Sequence, residues 1–348
     1  MPEPDGRYLA RGLGRTAERP RCLWNPRPFD DYTSTTEFQM AAGREQPESL
    51  IIRPPSEWRS MLVRLTRGCH WNRCRFCGIY PALGEPTFSA RTVPEVKKDI
   101  DILRTRVSRA TTAFLGDSDP LQIGLDEFIE IVRYLRGVFP GITRLTCYAR
   151  ASTLWKAKET GIKRLAEAGL NRVHIGLESG DPNILKFHRK GQTPEIVAAT
   201  GQWLREAGIE VSFYVLLGMG GRDRWKAHID NTVRVIESVN PEFVRIRRIW
   251  LYGGEGSELA PECPLCQSIR TGDFIPQTAE GTVLELRRLI EKLEGIDTFM
   301  TCDHANNYVS VHGRVPDDRS AMLEAIDRFL DLPEAERQAH YEAIGSTI

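Results

Sequence analysis

Met61-Leu-Val-Arg-Leu-Thr-Arg-Gly68-Cys69-His70-Trp-Asn-Arg73-Cys74-Arg75-Phe76-Cys77-Gly-Ile-Tyr80 joins an apolar-alternating run to a loop that carries three cysteines in nine residues. The alternation over 61–66 reads as a strand, and Gly68 ends it. The cysteines are spaced Cys69-x4-Cys74-x2-Cys77. Three soft thiolates on one short loop can hold zinc or an iron–sulfur cluster. Zinc wants a fourth protein ligand, and His70 is the local candidate. Arg67, Arg73 and Arg75 beside the thiols are expected to lower their pKa values and favour thiolate, which argues against cysteines that merely pack a core.

Outward from this stretch the chain alternates between two periods. Strand-like runs fall at 61–66, 111–115, 144–148, 172–177, 210–217 and 243–250, and amphipathic runs at 93–103, 125–138, 159–168, 194–207 and 225–238. Val132, Leu135 and Val138 share one helical face, Pro94 sits in a first turn, and Gly169 and Gly208 stand where helices stop. Six strands alternating with helices imply a parallel sheet, as an open doubly wound sheet or as a barrel.

In parallel βα architectures the strand C-termini line the site. The second strand runs into Gly116-Asp117-Ser118-Asp119-Pro120, where Gly116 permits a sharp turn whose amides can approach a charged ligand. The same residues also suit a plain turn with a helix cap. Arg150 ends the third strand and can grip a carboxylate with its planar fork, or cap a helix. Glu178 ends the fourth, within Gly176-Leu-Glu-Ser-Gly180. A buried carboxylate there is costly without a partner, which favours a ligand contact. His174, earlier on that strand, reads as a core histidine. Gly218-Met-Gly-Gly221 follows the fifth strand and alone is a simple turn. On the sixth, Arg245 and Arg247 share a face, toward an anionic ligand or toward solvent.

A strand feeding a three-cysteine loop, with Phe76 before the last cysteine, resembles the radical S-adenosylmethionine (SAM) enzymes. The spacing departs from the family's commonest C-x3-C-x2-C by one residue. The fourth-strand region 173–180 is similar to that of oxygen-independent coproporphyrinogen oxidase-like and Elongator-type members. This resemblance selects a partial (β/α)6 TIM-like barrel over residues 51–259. It implies that Cys69, Cys74 and Cys77 hold a [4Fe-4S] cluster, and that SAM chelates the remaining iron. It further implies that Gly116, Asp117, Ser118, Arg150, Glu178 and Gly218 bind SAM. One-electron reduction then cleaves SAM to a 5′-deoxyadenosyl radical that takes hydrogen from a substrate, while the protein supplies position and redox tuning.

The flanks read differently. Residues 1–50, rich in Arg, Gly and Pro, form an N-terminal arm with no sustained period. Residues 260–348 form an α-rich extension over the substrate side, with helices at 282–293, 317–330 and 332–344. Cys263-Pro-Leu-Cys266 is a candidate second metal site, a redox pair or an unligated pair of thiols. Asp303, His304 and Tyr308 group acid–base capacity and are assigned to substrate.

Of 348 residues, 47 are basic and 47 acidic, so charge points to neither nucleic acid nor an anionic membrane. No apolar run approaches the roughly 18 residues of a membrane span, and the N-terminus lacks a signal-peptide core. Clustered cysteines suit a reducing cytoplasm. The expected partners are a small-molecule substrate and a reductant such as flavodoxin or ferredoxin. No cobalamin-binding domain is recognisable before the barrel, so cobalamin-dependent methyl transfer is not expected. An RNA- or protein-modifying enzyme and a non-catalytic iron–sulfur or zinc protein are the alternatives.

Overall fold

A computed structural model describes residues 45–49, 52–251 and 263–345. From Gln46 onward these belong to one compact unit. The N-terminal arm lies outside the described residues except for 45–49, as does the segment 252–262 that spans the expected barrel boundary.

Among the described residues ten strands form: β1 Met61–Arg64, β2 Thr66–Arg67, β3 Ser89–Ala90, β4 Thr112–Gly116, β5 Arg144–Ala149, β6 Arg172–Glu178, β7 Glu210–Leu217, β8 Phe243–Arg248, β9 Thr298–Cys302 and β10 Val311–Val315. Eight of them make a single sheet in the order β1-β4-β5-β6-β7-β8-β9-β10. Within that sheet every pairing from β1 to β9 is parallel and β10 runs antiparallel to β9, while β2 and β3 pair antiparallel apart from it. The six expected strands are present in sequence order, as in a partial barrel. The extension differs in one respect: beside its helices it adds β9 and β10 to the same sheet. Their residues alternate between buried and more exposed over only five positions each, too short for a strong periodic signal.

The helices between strands are α2 Val93–Arg106, α3 Leu125–Val138, α4 Ala151–Ala168, α6 Pro194–Glu206 and α7 Gly221–Val239, after a short α1 Ile79–Ala82 and with α5 Pro182–Phe187 between β6 and α6. Local chemistry fixes their ends. Thr92 accepts from the Glu95 amide while the Glu95 carboxylate accepts from the Thr92 amide, a capping box that starts α2. Gly169, at φ +103, ends α4 in a left-handed conformation that a side chain disfavours. After the barrel come α8 Pro264–Arg270, α9 Ala279–Lys292, α10 Arg319–Leu330 and α11 Glu334–Ile344.

The core sits between sheet and helices. Leu145, Cys147, Val173, Ile175, Val211, Phe213, Val215, Val244 and Ile246 point outward and are at most 2% exposed. Each such side chain contributes roughly 1.5–3 kcal/mol by leaving water. The opposite face of the same strands is unlike it. Tyr148, Gly176, Tyr214, Leu216, Arg245 and Arg247 alternate with those core residues and are half-buried, lining a lumen that water reaches. At the end where strands begin, Glu57 closes this lumen. Its buried carboxylate accepts from Ser60 Oγ at 2.6 Å and lies 3.4 Å from Arg144 and 3.5 Å from His174.

Candidate active site

At the other end of the strands, the cysteine loop leaves β2 through Gly68, whose φ is +68. A Cβ there would meet the Thr87 carbonyl at 2.6 Å, so glycine is required. Cys69, Cys74 and Cys77 are all half-buried. Burial raises the Cys77 thiol to about 12 and also raises Cys74, with Lys190 and Arg150 pulling Cys74 the other way. The arginines expected to activate the thiols are occupied elsewhere. Arg67 pairs with Glu48 at 2.6 Å, Arg73 covers the Trp71 ring, and Arg75 covers Phe187 and reaches Ser268. The cations beside the thiols come instead from loops later in the chain, Arg150 after β5 and Lys190 after α5.

The Gly116–Ser118 turn is tied to this loop. Ser118 Oγ donates to the Gly68 carbonyl at 3.0 Å, next to Cys69. Asp117 is fully buried, accepting from Arg64 Nε at 2.8 Å, while Arg64 also pairs with Glu85. Asp117 is therefore a positioning carboxylate that braces the turn. Asp119 is buried too, accepts from Thr153 and Gln122, and is raised to about 6 by burial.

Arg150 reaches the loop by another route. Its guanidinium donates to the Lys190 carbonyl and stacks 4.9 Å from the Trp71 ring, and Trp71 Nε1 donates to the Arg189 carbonyl. Glu178 closes the circle. It is 8% exposed, and its carboxylate accepts from Lys190 Nζ at 2.7 Å. Its φ of +62 coincides with a register shift between β6 and β7, a local strain that a non-glycine residue keeps only where its surroundings hold it. Gly218, φ +87, ends β7, and its amide donates to Glu285 on α9. The next residue, Met219, packs with Phe76, Cys74 and Cys77 in one apolar cluster. The cysteine loop, the Gly116–Ser118 turn, Arg150, Glu178 and the Gly218 turn thus share one end of the lumen.

The extension residues divide. Asp303 is exposed and follows β9 at that same end of the sheet. His304 is partly buried, bonded through Nδ1 to Asn306, and its pKa is lowered by burial and by the nearby Arg247. Tyr308 is not brought to them. It is 4% exposed, its hydroxyl donates to the Gly345 carbonyl, and its ring packs on Tyr341 under Arg248, behind the sheet. Cys263 and Cys266 are buried with their sulfurs 3.4 Å apart, in the apolar cluster that contains Cys74 and Cys77.

Sequence reading missed Lys190, Glu85, Arg64 and Trp71. None falls in a recognisable motif, and each acts through a contact many residues away along the chain.

Among the described residues no three His, Cys, Asp or Glu side chains converge on a position for a single metal ion. His70, the candidate zinc ligand, turns instead to Asp119 at 3.5 Å and is held near pKa 4 by burial. Three thiols spread along one loop, facing a lumen end rich in charged groups, suit a polynuclear cluster with an open ligand position.

Fold and site together define an α/β partial barrel with a three-thiolate loop at its mouth. The family model for the Radical SAM superfamily matches residues 63–236, half of the chain, and the chain belongs to that superfamily. It is a radical SAM enzyme, and membership implies a [4Fe-4S] cluster and SAM. An uncharacterized methyltransferase of Pyrococcus horikoshii is 23% identical over 199 residues, covering 55% of this chain and 41% of that protein. The chain thus spans about two-fifths of that relative's length. Among solved structures, the methyltransferase TsrM from Kitasatospora setae, with cobalamin and a [4Fe-4S] cluster bound, has a TM-score of 0.49 at 19% identity, covering 66% of this chain and 43% of that one. Archaeal Elp3 from Methanocaldococcus infernus has a TM-score of 0.48 at 14% identity, covering 77% and 62%. No described helix is long and apolar enough to cross a membrane.

Proposed function

We propose that this enzyme reductively cleaves SAM and uses the product radical on a small-molecule substrate. Cys69, Cys74 and Cys77 would hold the [4Fe-4S] cluster, which with SAM would supply the radical chemistry for hydrogen abstraction from the substrate. The observation that carries this reading is the convergence of Glu178, Lys190, Arg150 and the Gly116–Ser118 turn on the cysteine loop. Lys190 and Arg150 suit SAM's carboxylate, while Glu178 suits its amino or hydroxyl groups. Ser118 and Gly218 place the turns that shape the pocket, and Asp117 holds the first of them in place. Asp303 and His304 lie on the substrate side, with His304 able to hold or move a proton. Tyr308 supports that segment from behind rather than touching substrate. A reductant such as flavodoxin or ferredoxin supplies the electron. A second metal at Cys263 and Cys266 remains a further reading of this pair, whose sulfurs lie 3.4 Å apart.

Anaerobic reconstitution followed by dithionite and SAM tests the reading. A brown protein that releases 5′-deoxyadenosine is the expected result, and a colourless protein, or a brown one that leaves SAM intact, overturns it. Iron counted with and without Cys263→Ser shows whether a second site exists.

Glu178→Ala is expected to keep the cluster and weaken SAM binding. A hydrogen bond to a charged group contributes about 1.5–3 kcal/mol, so affinity should fall roughly ten- to a hundredfold. Unchanged affinity in a SAM titration would make Glu178 a purely structural partner of Lys190.

A further inference from the structure

The lumen face of β8 carries two cations that no acid answers. Register sets Arg245 opposite Tyr214 on one side and Thr301 on the other, and Arg247 opposite Leu216. Two residues apart on one strand, they project from the same face with their Cβ atoms about 7 Å apart. Among the described residues no carboxylate lies within ion-pair distance of either. Arg245 Nε donates to Ser212 Oγ at 3.2 Å, and the Arg247 guanidinium lies 5.4 Å from the Tyr214 ring centroid. The other lumen cations with acids in reach are paired: Arg64 with Asp117, Lys190 with Glu178, Arg144 with Glu57 and Arg172 with Glu210. Arg248, the next residue along the strand and pointing to the opposite face, is capped by the carbonyls of Asn306 and Gly345.

A second observation points the same way. The Tyr214 hydroxyl is buried from solvent with the Tyr148 hydroxyl as its near side-chain partner, and the Tyr214 ring lies among Tyr148, His174 and Arg247. A buried hydroxyl beside two unanswered guanidinium groups is a donor set for an oxyanion. His174 below is held near pKa 4 by burial, so it is neutral at pH 7 and adds no charge of its own. SAM's carboxylate is served elsewhere: Arg150 follows β5 and Lys190 follows β6, whereas β8 lies beyond β7 in the sheet.

We propose that Arg245 and Arg247, with the Tyr214 hydroxyl, form a subsite for an oxyanion of the substrate, a carboxylate or a phosphate. This rests on the proposed use of the lumen for substrate and narrows its class to anionic molecules. Tethering the substrate by its anion would hold its reacting carbon at a fixed height between the subsite and the cysteine loop.

The test uses the reconstituted full chain saturated with SAM, titrated separately with inorganic phosphate and with succinate. Binding of either anion, weakened ten- to a hundredfold in both Arg245→Gln and Arg247→Gln, is the expected result. Phosphate alone would indicate a phosphorylated substrate, succinate alone a carboxylic acid, and both a subsite that accepts either. A second measurement needs no variant: the bound anion should protect Arg245 and Arg247 from phenylglyoxal modification mapped by mass spectrometry. The proposal is overturned if neither anion binds, if binding survives both substitutions, if saturating SAM abolishes it, or if protection falls on other arginines. Release of 5′-deoxyadenosine is read in parallel, so a failure of radical chemistry is seen separately from a failure of the subsite.

Discussion

Cys69→Ala, Cys74→Ala and Cys77→Ala are each expected to abolish the [4Fe-4S] absorption and SAM cleavage together. Three protein thiolates are the minimum for a cluster that leaves one iron to SAM, and losing one leaves a site with two. The structure adds a condition. Burial raises the Cys77 thiol to about 12, so in the metal-free protein this thiol is protonated at pH 7. Cluster assembly must therefore release protons and should proceed further at pH 8.5 than at pH 7. Cys263 and Cys266 share the apolar cluster of Cys74 and Cys77, and they are the nearest candidates to substitute for a lost ligand. Each single variant is accordingly also made with Cys263→Ser and Cys266→Ser. Iron and sulfide content, visible absorption and 5′-deoxyadenosine release are the readouts. A full cluster in any single variant that survives the added serines would refute the ligand set.

The parts legible in the sequence were those that depend on neighbours along the chain. The β7 limits, 210–217, and the α3 limits, 125–138, follow from apolar period alone, because each element buries one continuous face. The cysteine loop was legible for a similar reason, since all its ligands lie within nine residues. Partnerships across the chain were not. The Arg67, Arg73 and Arg75 side chains stand beside the cysteines in sequence but are drawn to Glu48, Trp71 and Phe187, and the groups that face Cys74 are Arg150 and Lys190. Tyr308 follows His304 by four residues, yet the turn between them sends its ring into the core against Tyr341. Sequence proximity gave the polar grouping; the fold decided which members face the lumen. The two C-terminal strands were hidden because five-residue segments owe their pairing to a sheet already built by others.

Glu57→Gln is expected to destabilise the fold by up to about 3 kcal/mol at neutral pH, with an effect that fades as the solution becomes acidic. Glu57 is fully buried at the closed end of the lumen. Burial alone would raise its pKa; contacts with His174 and Ser60, and the charge of Arg144, outweigh this and bring it from 4.5 down to about 2. A pKa depressed in the folded state means that the unfolded chain binds the proton more readily. The ionised carboxylate therefore stabilises the fold fully above about pH 4.5, and that contribution is lost as pH falls toward 2. The difference between those two pKa values corresponds to about 3 kcal/mol, an upper figure at neutral pH because His174 is uncharged there. Glutamine keeps the shape and can accept from Ser60, but it leaves the Arg144 and Arg172 guanidiniums without their buried counter-charge. His174 titrates over part of the same range, held near 4 by burial, so the comparison is made as variant against wild type rather than against a fixed standard. Urea unfolding at pH 7, 5.5 and 4 should show the gap at its widest at pH 7 and narrower at pH 4. Because Glu57 sits at the opposite end of the strands from Cys69–Cys77, the folded variant should still assemble its cluster. A gap that is absent at pH 7, or as wide at pH 4, would show that the carboxylate charge does not hold the floor of this barrel.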